Sequence, residues 1–199
     1  MTSIEGFTYC TSPISNRVAT SNRRNKHRLY LAFYHQGREY GDDTEFHSAL
    51  VLAPKAPVAG RMDSWRFHVR NIGVGRGCDN WIYEGKQALN GDMRIVSMQL
   101  LCKLDDDRVS GMGLGMLLRD VDVAEDDPSW CSKHWVRSAI QMLVDKDVIP
   151  QLHMQSRTIW KNGFVFAKSV ANRPSTCMPV CDTTGREIKS DIHWTPLRH

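Results

Sequence analysis

The chain has 199 residues, 41% of them hydrophobic and 24% charged, a length that suits one well-packed domain with an elaborated terminus. Its 26 Lys and Arg against 22 Asp and Glu leave +4, too mild a surplus to imply nucleic acid without a concentrated patch. Residues 1–10 lack a basic start followed by an apolar run, and no stretch reaches membrane-spanning length, so the expectation is a cytoplasmic protein without a membrane span whose six cysteines are mostly reduced.

Residues 1–27 read as a flexible polar arm. The basic cluster Arg17, Arg23, Arg24, Lys26 and Arg28, which runs to its end, is better explained as a solvated segment than as a polyanion-binding one. Arg28 to His35 is β-rich and stops before Gly37, which makes it a first strand. Phe46 to Ala53 is almost continuously apolar and ends at Pro54, as a strand buried on both faces does. Ser64 to Arg70 alternates, with Trp65, Phe67 and Val69 on one face and Arg66, His68 and Arg70 on the other. Trp81 to Glu84 and Met93 to Lys103 bring the count to about five strands.

The second half turns helical. Asp105 to Leu118 is a predicted helix weakened by Gly111, Gly113 and Gly115, Ser129 to Asp147 a strongly amphipathic one, and Ser156 to Asn172 a third. Strands followed by helices predict an α+β domain over residues 28–172, in which an antiparallel sheet of about five strands packs against the middle helix. Residues 173–199, with Pro174, Pro179, a Thr184-Gly185 turn signal and Pro196, form an extension packing on that domain and hold at most a short hairpin.

The chemistry concentrates where the middle helix begins, at Pro128-Ser129-Trp130-Cys131-Ser132-Lys133-His134-Trp135-Val136. A thiol or hydroxyl in a first helical turn meets unpaired backbone N–H groups and the positive end of the dipole, which stabilise a thiolate and an oxyanion. With a turn of about 100° per residue, Ser132 falls near the centre of the apolar face set by Trp135, Val136, Ala139, Ile140, Leu143 and Val144, while Cys131 falls to its side. His47 opens the most buried strand and is either a hydrogen-bonded core group or an acid/base for that nucleophile; His68, on the next strand, is either its orienter or a surface residue.

A strand histidine in Phe46-His47-Ser48-Ala49-Leu50-Val51, a second histidine one strand later and a helix start at Cys131 to Val136 resemble the circularly permuted papain-like proteins, among them the lecithin-retinol acyltransferase-like group. That group opens its helix Asn-Cys-Glu-His-Phe-Val; here His134, Trp135 and Val136 keep the pattern, while Cys131 stands at the asparagine and Ser132 at the nucleophilic cysteine. The chain is also similar to a set of small uncharacterised fungal proteins with a Trp-Asn-Cys helix start. The resemblance spans about Arg28 to Asn172 and implies a permuted papain-like fold catalysing acyl transfer or hydrolysis.

Two enzyme readings and one without catalysis follow. In the first, His47 is the acid/base, Ser132 or Cys131 the nucleophile and His68 the orienter, with Trp130, Tyr30 and His134 contacting a small-molecule substrate. In the second, a secondary-metabolite cyclase or isomerase uses His47 to move protons without a covalent nucleophile. In the third, the pocket is a remnant on a binding protein. No cofactor is expected. Cys177, Cys181 and His193 have irregular spacing and no fourth ligand, a poor zinc set. Gly73-Val74-Gly75-Arg76-Gly77 lacks the following helix of a phosphate loop, and Asp105-Asp106-Asp107 reads as a helix cap.

Overall fold

The computed structural model describes residues 26–35, 45–72, 80–104, 109–124, 127 and 129–194. The expectations placed on residues 1–25 of the arm, on the Gly73–Gly77 loop and on Asp105–Asp107 lie outside these residues, while His27, predicted as the end of the arm, already belongs to the first strand.

The protein is α+β, with a mostly antiparallel sheet of seven strands in the order β4-β3-β2-β1-β5-β6-β7. The strands are β1 (His27–His35), β2 (Phe46–Pro54), β3 (Ser64–Asn71), β4 (Trp81–Ala88), β5 (Ile95–Leu104), β6 (Val180–Cys181) and β7 (Glu187–Ile188). The helices are α1 (Gly111–Leu118), α2 (Ser132–Asp145) and α3 (Ser156–Val170). Seven strands replace the expected five because the tail supplies two. Met98 N–H donates to the carbonyl of Pro179, so β6 joins the open side of β5 in parallel, and β7 turns back on it as a hairpin through Gly185 at φ 85°.

Alternation along the strands divides the molecule into two apolar layers. Leu29, Leu31 and Phe33 of β1, Phe46, Leu50 and Leu52 of β2, and Phe67 and Val69 of β3 face the helices, where Trp135, Val136, Ala139 and Ile140 of α2 and Ile159, Phe166 and Ala167 of α3 cover them. The intervening Tyr30, Ala32, Tyr34, Ala49, Val51 and Ala53 face the other way and are covered by Met178, Val180 and Ile192 of the tail. Full burial of a side chain such as Leu50 or Ile140 contributes about 1.5–3 kcal/mol. Covering both faces explains why β2 reads as an almost continuous apolar run.

Several boundaries move for physical reasons. β4 continues to Ala88 instead of ending at Glu84, because every residue from Trp81 to Ala88 has a partner on β3. β5 starts at Ile95 and not Met93, since Asp92 closes a turn by accepting the amide of Arg94. The predicted helix over Asp105 to Leu118 is helical only from Gly111 among the described residues; Ser110 is its cap and accepts the Gly113 amide at 3.0 Å. Its glycines permit close approach: a Cβ on Gly111 would lie 2.2 Å from the Trp65 ring, and one on Gly115 3.3 Å from Phe67. α2 begins at Ser132, not Ser129, whose hydroxyl is held by the Asp127 carboxylate at 2.7 Å.

Candidate active site

β2 pairs with β1 along its full length, from His27↔Pro54 to His35↔Phe46, but its ladder with β3 covers only Leu50↔Phe67 to Leu52↔Trp65. The two strands therefore part around Phe46–Ala49, and different side chains bridge the split on its two faces.

On the helical face the start of α2 fills the gap. Ser132 is fully buried, and its hydroxyl oxygen accepts the backbone N–H of Ser48 at 3.1 Å, standing in for the ladder bond that β3 does not supply there. The Ser48 hydroxyl in turn accepts Trp160 Nε1–H at 2.9 Å. The predicted inward position of Ser132 is where the structure places it.

On the opposite face, His47 stands beside its cross-strand partner Tyr34, the two rings 6.4 Å apart. Its Nε2 lies 2.9 Å from His68 Nδ1, and His68 Nε2 lies 3.1 Å from Glu84 Oε2 on β4. The three side chains form one line from the buried interior to the surface: His47 and His68 are both 1% exposed, the Glu84 side chain 24%. Glu84 is also approached by Arg66 at 3.5 Å, Arg70 at 3.6 Å and Lys86 at 2.6 Å.

The carboxylate sets the tautomers. As an acceptor only, it requires the proton of His68 on Nε2, which leaves Nδ1 to accept from Nε2–H of His47. In its neutral form His47 then carries its remaining lone pair on Nδ1. Burial pulls His68 down to about 4, overriding the raising pull of the Glu84 hydrogen bond and reinforced by Arg66 and His47. The hydrogen bond from His68, with that of Lys86, holds Glu84 well below the usual carboxylate range despite its partial burial. His68 is therefore a neutral, oriented imidazole near pH 7.

Cys131 caps α2. Its N–H donates to His134 Nδ1 at 3.1 Å, and its Sγ lies 3.7 Å from the same nitrogen. The Nδ1 lone pair is directed at the backbone amide, so His134 acts as a capping group more than as a base for the thiol. Trp130 stacks on His134 at 6.5 Å and meets Trp81 edge-on at 5.4 Å. Tyr30 lies four residues along β1 from Tyr34, roughly 13 Å away at strand spacing, beside Arg28 and Asp191.

The structure thus brings His47 and His68 together, gathers Cys131, His134 and Trp130 at the helix start, puts Ser132 between them on the helical side of β2, and leaves Tyr30 apart from them, further along β1. Glu84 was not among the residues picked from sequence. Its signal is the alternation Ile82-Glu84-Lys86, which faces His68 only once the register His68↔Glu84 is fixed. Cys177 Sγ is 3.5 Å from His193 Nδ1, whereas Cys181 is buried in β6, and no group of three metal-ligand side chains occurs among the described residues. Burial pushes the thiols of Cys102 and Cys181 up to about 12, which makes them packing groups. No helix is long and apolar enough to cross a membrane among the described residues.

Among known proteins, residues 26–174 match a family described as one of unknown function, DUF6914. No curated protein and no solved structure matches the chain.

Proposed function

We propose, from the premise that the chain belongs to this family of unknown function, DUF6914, that it is a histidine-centred acid–base catalyst which moves protons on a small-molecule substrate, in a cyclisation or isomerisation, on a scaffold related to the permuted papain-like proteins. The observation that carries this reading is the hydrogen-bonded line His47–His68–Glu84. His47 Nδ1 takes a proton from the substrate and returns it at another position. The imidazolium formed is stabilised through His68, whose Nε2–H stays on the Glu84 carboxylate. His68 and Glu84 act as positioning residues, since they reach the substrate only through His47.

A covalent serine fits less well: Ser132 lies on the α2 side of β2 while His47 leaves β2 on the other face, and one lone pair of its oxygen holds the Ser48 amide. Acyl transfer or hydrolysis retains one observation in its favour: α2 opens at Cys131 and Ser132 beside the strand residue that follows His47.

The test uses wild-type protein and the variants His47→Gln, Ser132→Ala and Cys131→Ala, each incubated with pooled small metabolites in D2O and read by mass spectrometry. The expected result is a compound that is isomerised or gains deuterium with wild type and both nucleophile variants, and is turned over at least ~100-fold more slowly by His47→Gln. A covalent mass adduct on the intact protein that disappears in Ser132→Ala or Cys131→Ala transfers the assignment to acyl chemistry. Turnover indifferent to His47→Gln overturns the histidine-centred reading.

A further inference from the structure

β4 is the outermost strand of the sheet, and its whole length is regularly paired to β3 without a bulge. Among the described residues no strand pairs with its outer edge. Gly85, Lys86 and Gln87 are exposed, and the strand contains no proline. Such an edge presents a row of backbone donors and acceptors and is the geometry that natural sheets otherwise interrupt. Beside it, on the helical face, runs a groove of about 440 Å³ lined by Trp65, Tyr83, Gly85, Met112, Met116 and Arg119. Met112 and Met116 are 65% and 67% exposed, among the most exposed large apolar side chains of the described residues.

We infer that this edge and groove form a homodimer interface in which β4 of one copy pairs antiparallel with β4 of a second, continuing the sheet across a two-fold axis. Strand chemistry selects the second copy as the occupant. A two-fold axis that joins two identical edges antiparallel must stand perpendicular to the sheet, so each residue faces a partner residue from the same face of its own strand. A register centred on Glu84 opposes two glutamates, and one centred on Lys86 opposes two lysines. The register centred on Gly85 opposes Glu84 with Lys86 and Lys86 with Glu84, Ile82 with Ala88 and Tyr83 with Gln87, so that charge meets opposite charge and the small Gly85 lies at the axis. The same symmetry puts both α1 helices on one side of the joined sheet and brings the two Met112–Met116 grooves against each other, covering apolar surface that one copy leaves in water.

The interface shares Glu84 and Lys86 with the proposed site but does not rest on its chemistry, and its test reads mass, not turnover. Sedimentation of the full chain over low to high micromolar concentrations is expected to give twice the chain mass. Lys86→Glu, which opposes glutamates in that register, and Met112→Lys/Met116→Lys, which charges the groove, are each expected to weaken association by at least about tenfold. Both replace exposed side chains, and circular dichroism checks that the fold is retained. Wild-type protein that stays monomeric throughout, or a dimer that neither variant weakens, overturns the inference. Slowed hydrogen exchange at the β4 amides on raising concentration supports it, and unchanged exchange there counts against it.

Discussion

Ser132 is the residue whose role changes most between sequence and structure. Its hydroxyl faces inward at the start of a helix, which is where a nucleophile belongs, yet its oxygen accepts the Ser48 amide, on the stretch of β2 that has no ladder with β3. Replacing it with alanine strands a buried N–H, which costs about 1–3 kcal/mol. Ser132→Ala is therefore expected to lower Tm by roughly 2–12 °C for a chain of this size, and a thermal melt identical to wild type refutes the structural role. His47 changes in the opposite sense: a histidine that passes for a core residue turns out to be hydrogen-bonded to a second imidazole that is itself fixed by a carboxylate.

At the level of elements, α1 shows why glycine in a helix is not simply a weakness. Gly111 sits so close to the Trp65 ring that a Cβ there would lie 2.2 Å from it, nearer than a side chain permits, and Gly115 lies close to Phe67. Gly111→Ala improves intrinsic helix propensity by about 1 kcal/mol, but it drives a methyl into the Trp65 ring, and overpacking of this kind costs about 1–3 kcal/mol. The expected net result is destabilisation, measured as a lower urea midpoint. A midpoint raised by the substitution shows that Trp65 yields and that helix propensity decides. The start of α2 follows similar local logic: Asp127 holds Ser129, and the cap passes to Cys131 with His134 closing back on its amide.

Across the whole molecule, the buried His68 and the carboxylate of Glu84 couple stability to acid in the same direction. The folded state holds His68 near 4 against an ordinary 6.5, so between those values the unfolded chain binds a proton that the folded chain refuses. Stability therefore falls as pH drops from 6.5 towards 4, by on the order of 3 kcal/mol once the window is crossed. Glu84, held below its ordinary value of 4.5, contributes stability that is present above that pH and is lost as pH falls further. Urea unfolding at a series of pH values checks both effects. His68→Gln is expected to flatten the upper part of the profile, and an equal slope in wild type and variant sinks the assignment.

The alternation of Trp65, Phe67 and Val69 against Arg66, His68 and Arg70, the apolar run of β2 and the amphipathic pattern of α2 determined β3, β2, α2 and the inward position of Ser132 by themselves, because these are properties of period and burial within single elements. Tertiary structure alone decided that β2 and β3 part at Ser48, that Glu84 stands opposite His68, that His47 and Ser132 leave β2 on different faces, and that the tail adds two strands. Each of these depends on register and strand order across connections whose lengths carry no geometric code. A shift of one residue in the β3–β4 register turns Glu84 to the other face and removes the carboxylate from the line.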